Sequence, residues 1–212
     1  MLGANDGIVS TAAIIVGVAS ADSTRAAILT AGVAGLVAGA ASMAAGEYVS
    51  VSSQADAERA DLVLEQAELR ADPVGEQAEL AAIYRGRGLS DRLAIEVAAE
   101  LSARPDVLEV HARDELGMTE LSHAHPLQAA GASAASFTVG AALPLLAVIL
   151  APASGRIAIT MAATIVALAV TGWAGARRGG AKPLRGTIRV VVWGIAAMLL
   201  TMAVGRLVGT AV

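Results

Sequence analysis

The stretch AAILTAGVAGLVAGAASMAAGEYVSVSSQADAERADLVLEQAELRA, residues 26–71, decides the fold. Its first half, 26 to 48, carries one acidic or basic side chain, Glu47, and as a helix rising 1.5 Å per residue it is long enough to cross about 30 Å of hydrocarbon. Its second half turns acidic yet holds neither Gly nor Pro. With no breaker between the halves, a bilayer-crossing helix is predicted to continue past Tyr48 into water as the first helix of a polar domain, tying that domain mechanically to the membrane.

Four further apolar blocks lie outward from this stretch, at 7 to 21, 127 to 151, 157 to 176 and 188 to 210. A hydrophobic content of 56% and a mean hydropathy of +0.64 exceed what a soluble chain of 212 residues carries. The first block is short. It is read as a span rather than a signal peptide, because Asn5 and Asp6 stand where a basic leader would need positive charge. The fold class is therefore all-α membrane protein: five transmembrane helices, two over 1–48 and three over 125–212, with a helical domain over 49–124 inserted between the second and third spans.

Charge separates that domain from the rest. Residues 49–124 hold 16 Asp and Glu against 7 Arg, a balance of −9, whereas the remainder carries +5. Such a surface excludes nucleic acid, whose phosphates need a basic face, and favours cations as partners. Arg177, Arg178, Lys182, Arg185 and Arg189 share one short loop, while the opposite loops offer Arg25 and Arg156. Basic loops stay cytoplasmic, so the N-terminus and the acidic domain are expected inside and the C-terminus outside. Tyr48, Trp173 and Trp193 then fall at the cytoplasmic interface. Fourteen Arg against one Lys, with abundant Ala, has the composition of a GC-rich bacterial genome and points to a bacterial cell membrane.

Within the spans, Gly32, Gly35 and Gly39 share one side of the second and predict close helix packing, and Pro144 is expected to kink the third. Breakers at Asp72-Pro73-Val74-Gly75, Arg85-Gly86-Arg87-Gly88 and Arg104-Pro105 divide the acidic domain into helices, with Ser90 as an N-cap.

The chemistry concentrates in carboxylates. Glu65 and Glu68, then Glu76 and Glu79 eleven residues on, form two pairs spaced by three, each on one helical face, with the Pro73 turn between them. Folding back at that turn brings four like charges together, and a divalent cation neutralises them most simply. Glutamates are also common on solvated helices, so the pattern alone leaves that reading open. Asp6 and Glu47 are acidic residues at membrane spans, where such groups mark a pathway or a partner, and Met43 adds a thioether one turn before Glu47.

Three histidines, His111, His123 and His125, lie near Asp114, Glu115 and Glu120. His111 and Glu115, four apart, share a helical face and are the better ligand pair; His123 and His125, beside Pro126, read as a loop. With no cysteine, disulfides and thiolate sites are excluded, and any metal is held by oxygen, imidazole or thioether. No enzyme signature stands out, and the Glu-x-x-His pairs of a di-iron bundle are missing.

Five motifs together carry a resemblance: ANDGIVST at 4–11, MAAGEYVSVSSQAD at 43–56, the two Glu-x-x-Glu pairs, DELGM at 114–118, and ASFTVGAALPLL at 135–146. In combination they resemble the vacuolar iron transporter family over essentially the whole chain. The resemblance implies a five-span homodimer with a cytoplasmic metal-binding domain. It further implies export of Fe2+, and often Mn2+, from the cytosol in exchange for protons, with no tightly bound cofactor. By position it assigns Asp6, Met43 and Glu47 to the pore, and Glu65, Glu68, Glu76, Glu79 and Glu115 to the domain's ligands. Two departures stand out. His111 and Ala112 replace the family's pair of methionines, which shifts the expected preference toward Mn2+, Zn2+ or Co2+, and the stretch ahead of ANDGIVST is shorter than in the family. The alternative expectation is a membrane-anchored buffer or sensor that binds ions without carrying them.

Overall fold

The computed structural model describes residues 2–118 and 124–211, and among these it forms eight α-helices and no strand. They are α1 (Leu2–Ala19), α2 (Arg25–Ala71), α3 (Pro73–Gly86), α4 (Asp91–Ser102), α5 (Val107–Asp114), α6 (Pro126–Leu150), α7 (Arg156–Arg178) and α8 (Pro183–Ala211), with a 3-10 turn at Ala153–Gly155 before α7. The chain divides into two compact units, Met1–Tyr48 with Pro126–Val212, and Val49–His125. As its unbroken pattern predicts, α2 is one helix of 47 residues.

Among the described residues four stretches are long and apolar enough to cross a membrane: those of α2, α6, α7 with its preceding turn, and α8. The block read as the first span, 7 to 21, falls on α1, whose apolar stretch Gly3–Ala19 is shorter than these. Helix α1 is nonetheless the post around which the apolar unit packs, against α6, α7 and α8. Ala12 and Val16 on one side meet Met198, with Ile157, Met161 and Ile195 around them. On another side Ile15 meets Ile28, Leu145 and Val148. Apolar side chains such as Val139, Val166, Leu200 and Leu207 point outward, and in a bilayer such a surface needs no cover.

Small residues set how closely these helices pass, because lipid gives apolar helices no hydrophobic reason to associate and contact area must supply it. A Cβ on Gly7 would overlap the carbonyl of Phe137, and one on Gly140 the carbonyl of Ala4, so α1 and α6 touch backbone to backbone. Gly17 and Gly205 do the same for α1 and α8. The glycines singled out on α2 work differently: Gly32 and Gly35 seat Ile15, Leu145 and Ile14, and Gly39 seats the Phe137 ring. They receive side chains from the neighbouring helices. Pro144 is buried in the interior of α6, which continues through it to Leu150.

The acidic unit follows the punctuation of its sequence. Asp72 caps α3, its Oδ1 accepting from the Gly75 amide at 2.9 Å, with Pro73 opening the first turn. Ser90 occupies the N-cap of α4 in extended backbone, without a side-chain cap bond. Leu80 and Ala81 of α3, Ala98 of α4 and Val110 of α5 form its core, with Tyr84 and Leu101 against it.

The glycine contacts give a direct test. Gly205→Ala would push a methyl into the Gly17 carbonyl and is expected to lower the thermal midpoint of the detergent-solubilised chain, at an overpacking cost of about 1–3 kcal/mol. Gly131→Ala, where a Cβ meets nothing within 4 Å, should leave the midpoint unchanged or raise it. Equal midpoints for the two variants would contradict the packing described.

Candidate metal centre

Three helices of the acidic unit deliver side chains to one point. Glu65 comes from the polar half of α2, Glu76 from the first turn of α3, and His111 from α5, which ends at the Glu115 cap. The cap at Asp72 fixes where α3 begins, and Glu76 follows one turn later with Leu80 a turn beyond it in the core. Val110 in that same core places its neighbour His111 beside Glu76. Glu65, Glu76 and His111 are buried, Glu115 is half-buried, and each offers a ligand atom within 4.8 Å of all the others.

The imidazole is the centre of this group. His111 Nδ1 lies 2.8 Å from Glu65 Oε1, 3.3 Å from Glu115 Oε2 and 3.6 Å from Glu76 Oε2. Only the Glu115 contact has hydrogen-bond geometry; Glu65 Oε1, though nearer, makes no hydrogen bond, and neither does His111 Nε2. With the proton on Nδ1, one carboxylate is satisfied and two are not. With the proton on Nε2, a buried donor lacks an acceptor among the described residues and a lone pair faces three carboxylates. A divalent cation in their midst would take the Nδ1 lone pair and neutralise the three carboxylates, with the imidazole proton on Nε2. Three carboxylates and an imidazole suit a borderline ion such as Fe2+, Mn2+, Co2+ or Zn2+ better than Ca2+ or Mg2+, which favour oxygen alone.

Electrostatics point the same way. Burial, then repulsion from Glu115, pushes the Glu65 carboxyl up to about 7; His111 opposes the shift, and Glu76 and Glu68 add to it. Burial, then Glu115 and Glu79, likewise raises Glu76. Glu68 and Glu79, read from the sequence as ligands beside Glu65 and Glu76, are exposed and stand outside the group of four. Their charges still reach it.

A second cluster next to the site was not read from the sequence. The Asp114 side chain, 7% exposed, accepts from Arg87 Nη1 at 2.8 Å, from Tyr84 Oη at 2.9 Å and from Arg113 Nη2 at 2.9 Å, while Arg87 Nη2 also donates to its main-chain oxygen. The Arg113 bond, with those from Arg87 and Tyr84, holds its carboxyl well below the usual range despite burial. Arg87 stacks over the Tyr84 ring, 5.1 Å from the centroid. This cluster pins the end of α5 to the end of α3, and so fixes His111 and Glu115 against Glu76. Tyr84 lies two turns after Glu76 and Asp114 next to Glu115, and that spacing was the available signal.

In the apolar unit, Asp6 and Glu47 are exposed, and Met43 is half-buried with its Cε 3.5 Å from where a Cβ on Gly3 would sit. His125 is exposed, whereas His123 and Glu120 lie outside the described residues.

A model of the VIT family matches residues 1–206. The chain is 42% identical to a vacuolar iron transporter of Acanthamoeba castellanii, over 98% of this chain and 76% of that protein. It is 40% identical to vacuolar iron transporter homolog 1 of Oryza sativa subsp. japonica, over 99% and 72%, and 36% identical to vacuolar iron transporter homolog 2.1 of Arabidopsis thaliana, over 100% and 80%.

The buried carboxyls make stability depend on pH. Glu65 keeps its proton longer when folded, so between its ordinary value of 4.5 and about 7 the folded chain binds more protons than the unfolded one. Its contribution to stability is full below 4.5 and is lost as the pH rises through about 7. The thermal midpoint of the metal-free chain should therefore fall between pH 5 and pH 8. Glu65→Gln should flatten that fall, and the same slope in variant and wild type would refute the assignment.

Proposed function

The chain belongs to the VIT family, and from this premise we propose that it carries divalent transition-metal ions, Fe2+ or Mn2+, out of the cytosol in exchange for protons. The observation that carries the reading is the meeting of Glu65, Glu76, Glu115 and His111, with Glu65 raised to about 7. Near neutral pH such a group takes either a proton or a metal ion, and one cation displaces the other. That exchange is the elementary act an antiporter needs. The relatives named as vacuolar iron transporters support iron as cargo, and the imidazole favours borderline ions, Mn2+, Zn2+ and Co2+ among them.

In this reading the unit Val49–His125 collects ions on the cytosolic side, a placement supported by the basic side chains of segment 177–189. Helix α1 serves as a fifth span. Asp6, Met43 and Glu47 pass the ion across the bilayer, as exposed or half-exposed oxygen and sulfur donors on α1 and α2 that a second copy of the chain would complete as a homodimer. Glu68 and Glu79 act at a distance, raising the local concentration of cations at the entrance. The inner site is held by Glu65, Glu76, Glu115 and His111, and no enzymatic step is required.

A second reading is favoured by one specific fact: all four ligands lie within Val49–His125, so ions can be bound without any pathway. The chain would then buffer or sense metal at the membrane.

Transport across a sealed bilayer separates the two. Vesicles containing the purified chain, with a pH gradient, should accumulate Fe2+ or Mn2+, and Asp6→Ala should abolish uptake while leaving metal binding by the protein intact. Glu65→Gln should weaken binding and slow uptake at low metal concentration, by at least about ten-fold if one charged ligand contributes some 1.4 kcal/mol. Uptake by Asp6→Ala equal to wild type would remove the proposed pathway.

A further inference from the structure

The end of the apolar unit where α7 turns into α8 has a feature that metal handling does not use. Ala169, Val170 and Trp173 of α7 and Pro183, Leu184 and Thr187 of α8 line an open, apolar groove of about 790 Å³. At this hairpin the two helices pass at backbone distance: a Cβ on Gly172 would lie 3.1 Å from Thr187 Cα, and one on Gly186 would lie 2.7 Å from the Ala176 methyl. Small residues thus fill the contact and leave larger ones as walls. Trp173 and Leu184 remain 48% and 72% exposed. The volume falls in the range of small-molecule sites, roughly 300–1,000 Å³, and within a bilayer the natural filling of an apolar groove is an acyl chain.

Charge selects among acyl chains. The segment 177–189 holds Arg177, Arg178, Lys182, Arg185 and Arg189 and no Asp or Glu. All five cations are exposed, and among the described residues none pairs with a carboxylate. Arg177 is fixed at the groove itself, its guanidinium over the Trp173 ring at 5.1 Å from the centroid. An apolar channel with a cluster of uncompensated cations at its rim is complementary to a molecule with an apolar tail and an anionic head. A second copy of the chain fits less well, since a two-fold contact here would set the same basic loops against each other.

We propose that this groove binds an anionic phospholipid, its acyl chain along Val170, Trp173 and Leu184 and its phosphate met by Arg177 and the neighbouring cations of the 177–189 segment. The site is independent of what the chain carries, and it anchors the α7–α8 hairpin in the leaflet whose headgroups are negative.

Tryptophan fluorescence tests it, because the chain holds two tryptophans and Trp193→Phe leaves Trp173 as the reporter. The full-length Trp193→Phe chain is reconstituted in phosphatidylcholine vesicles containing matched mole fractions of brominated phosphatidylglycerol or brominated phosphatidylcholine. Brominated phosphatidylglycerol should quench Trp173 about five-fold more efficiently, the preference expected from a single basic side chain at a lipid surface, and high salt should reduce the difference. Adding Arg177→Gln, Arg178→Gln, Lys182→Gln, Arg185→Gln and Arg189→Gln together should make the two lipids quench alike, with the unquenched emission maximum reporting that the hairpin is still folded. Equal quenching by both lipids before that change overturns the proposal, and so does a preference that survives it. Absence of quenching by either lipid overturns it too, since protein would then cover the groove.

Discussion

Three carboxylates converge on one imidazole in the acidic unit, and their mutual repulsion is the constraint that the rest of that unit answers. Water would screen them if it could reach them, but Glu65 and Glu76 are buried. What holds them is the frame behind. The apolar contacts among Leu80, Ala98 and Val110 set the distance between α3 and α5, and the Asp72 cap fixes where α3 starts. Asp114, clamped by Arg87, Arg113 and Tyr84, holds the end of α5 in place. Asp114 and Glu115 are neighbours with opposite electrical tasks. The first is neutralised by arginines and keeps its charge easily; the second is left to repel Glu65 and Glu76.

The apolar unit solves a different problem with different means. It has no water to squeeze out of its helix contacts, so closeness is the main source of attraction, and Gly7 with Gly140 and Gly17 with Gly205 supply it around α1. The shortest of its helices is also the most enclosed, with Ile8, Ala12, Ile15 and Val16 buried. Helix α2 depends less on backbone contact, using its glycines as seats for Ile14, Ile15 and Phe137.

Much of this was legible in the sequence, and for identifiable reasons. The unbroken polar continuation of α2, the turn at Pro73 and the pairing of His111 with Glu115 follow from local chemistry: absence of breakers, the fixed dihedral of proline, and the four-residue repeat of a helix. The Glu-x-x-Glu pairs were only half legible. Positions three apart on a helix differ by about 60° around its axis, so one member of each pair turns inward while Glu68 and Glu79 stay in water. The Asp114 clamp has no local signature, because Arg87, 27 residues distant, lies in a stretch whose glycines mark it as a loop. The glycines on α2 do allow close packing, but their spacing shows only that a face is smooth, not whether a backbone or a side chain will rest on it.

In the acidic unit the rows that pack and the rows that bind are separate. Leu80, Ala98 and Val110 hold the helices together, Glu76 and His111 face the point where the carboxylates meet, and α4 contributes to the frame without offering any of the four clustered side chains. Over evolutionary time such a division lets the clustered side chains change one at a time while the scaffold that presents them stays as it is.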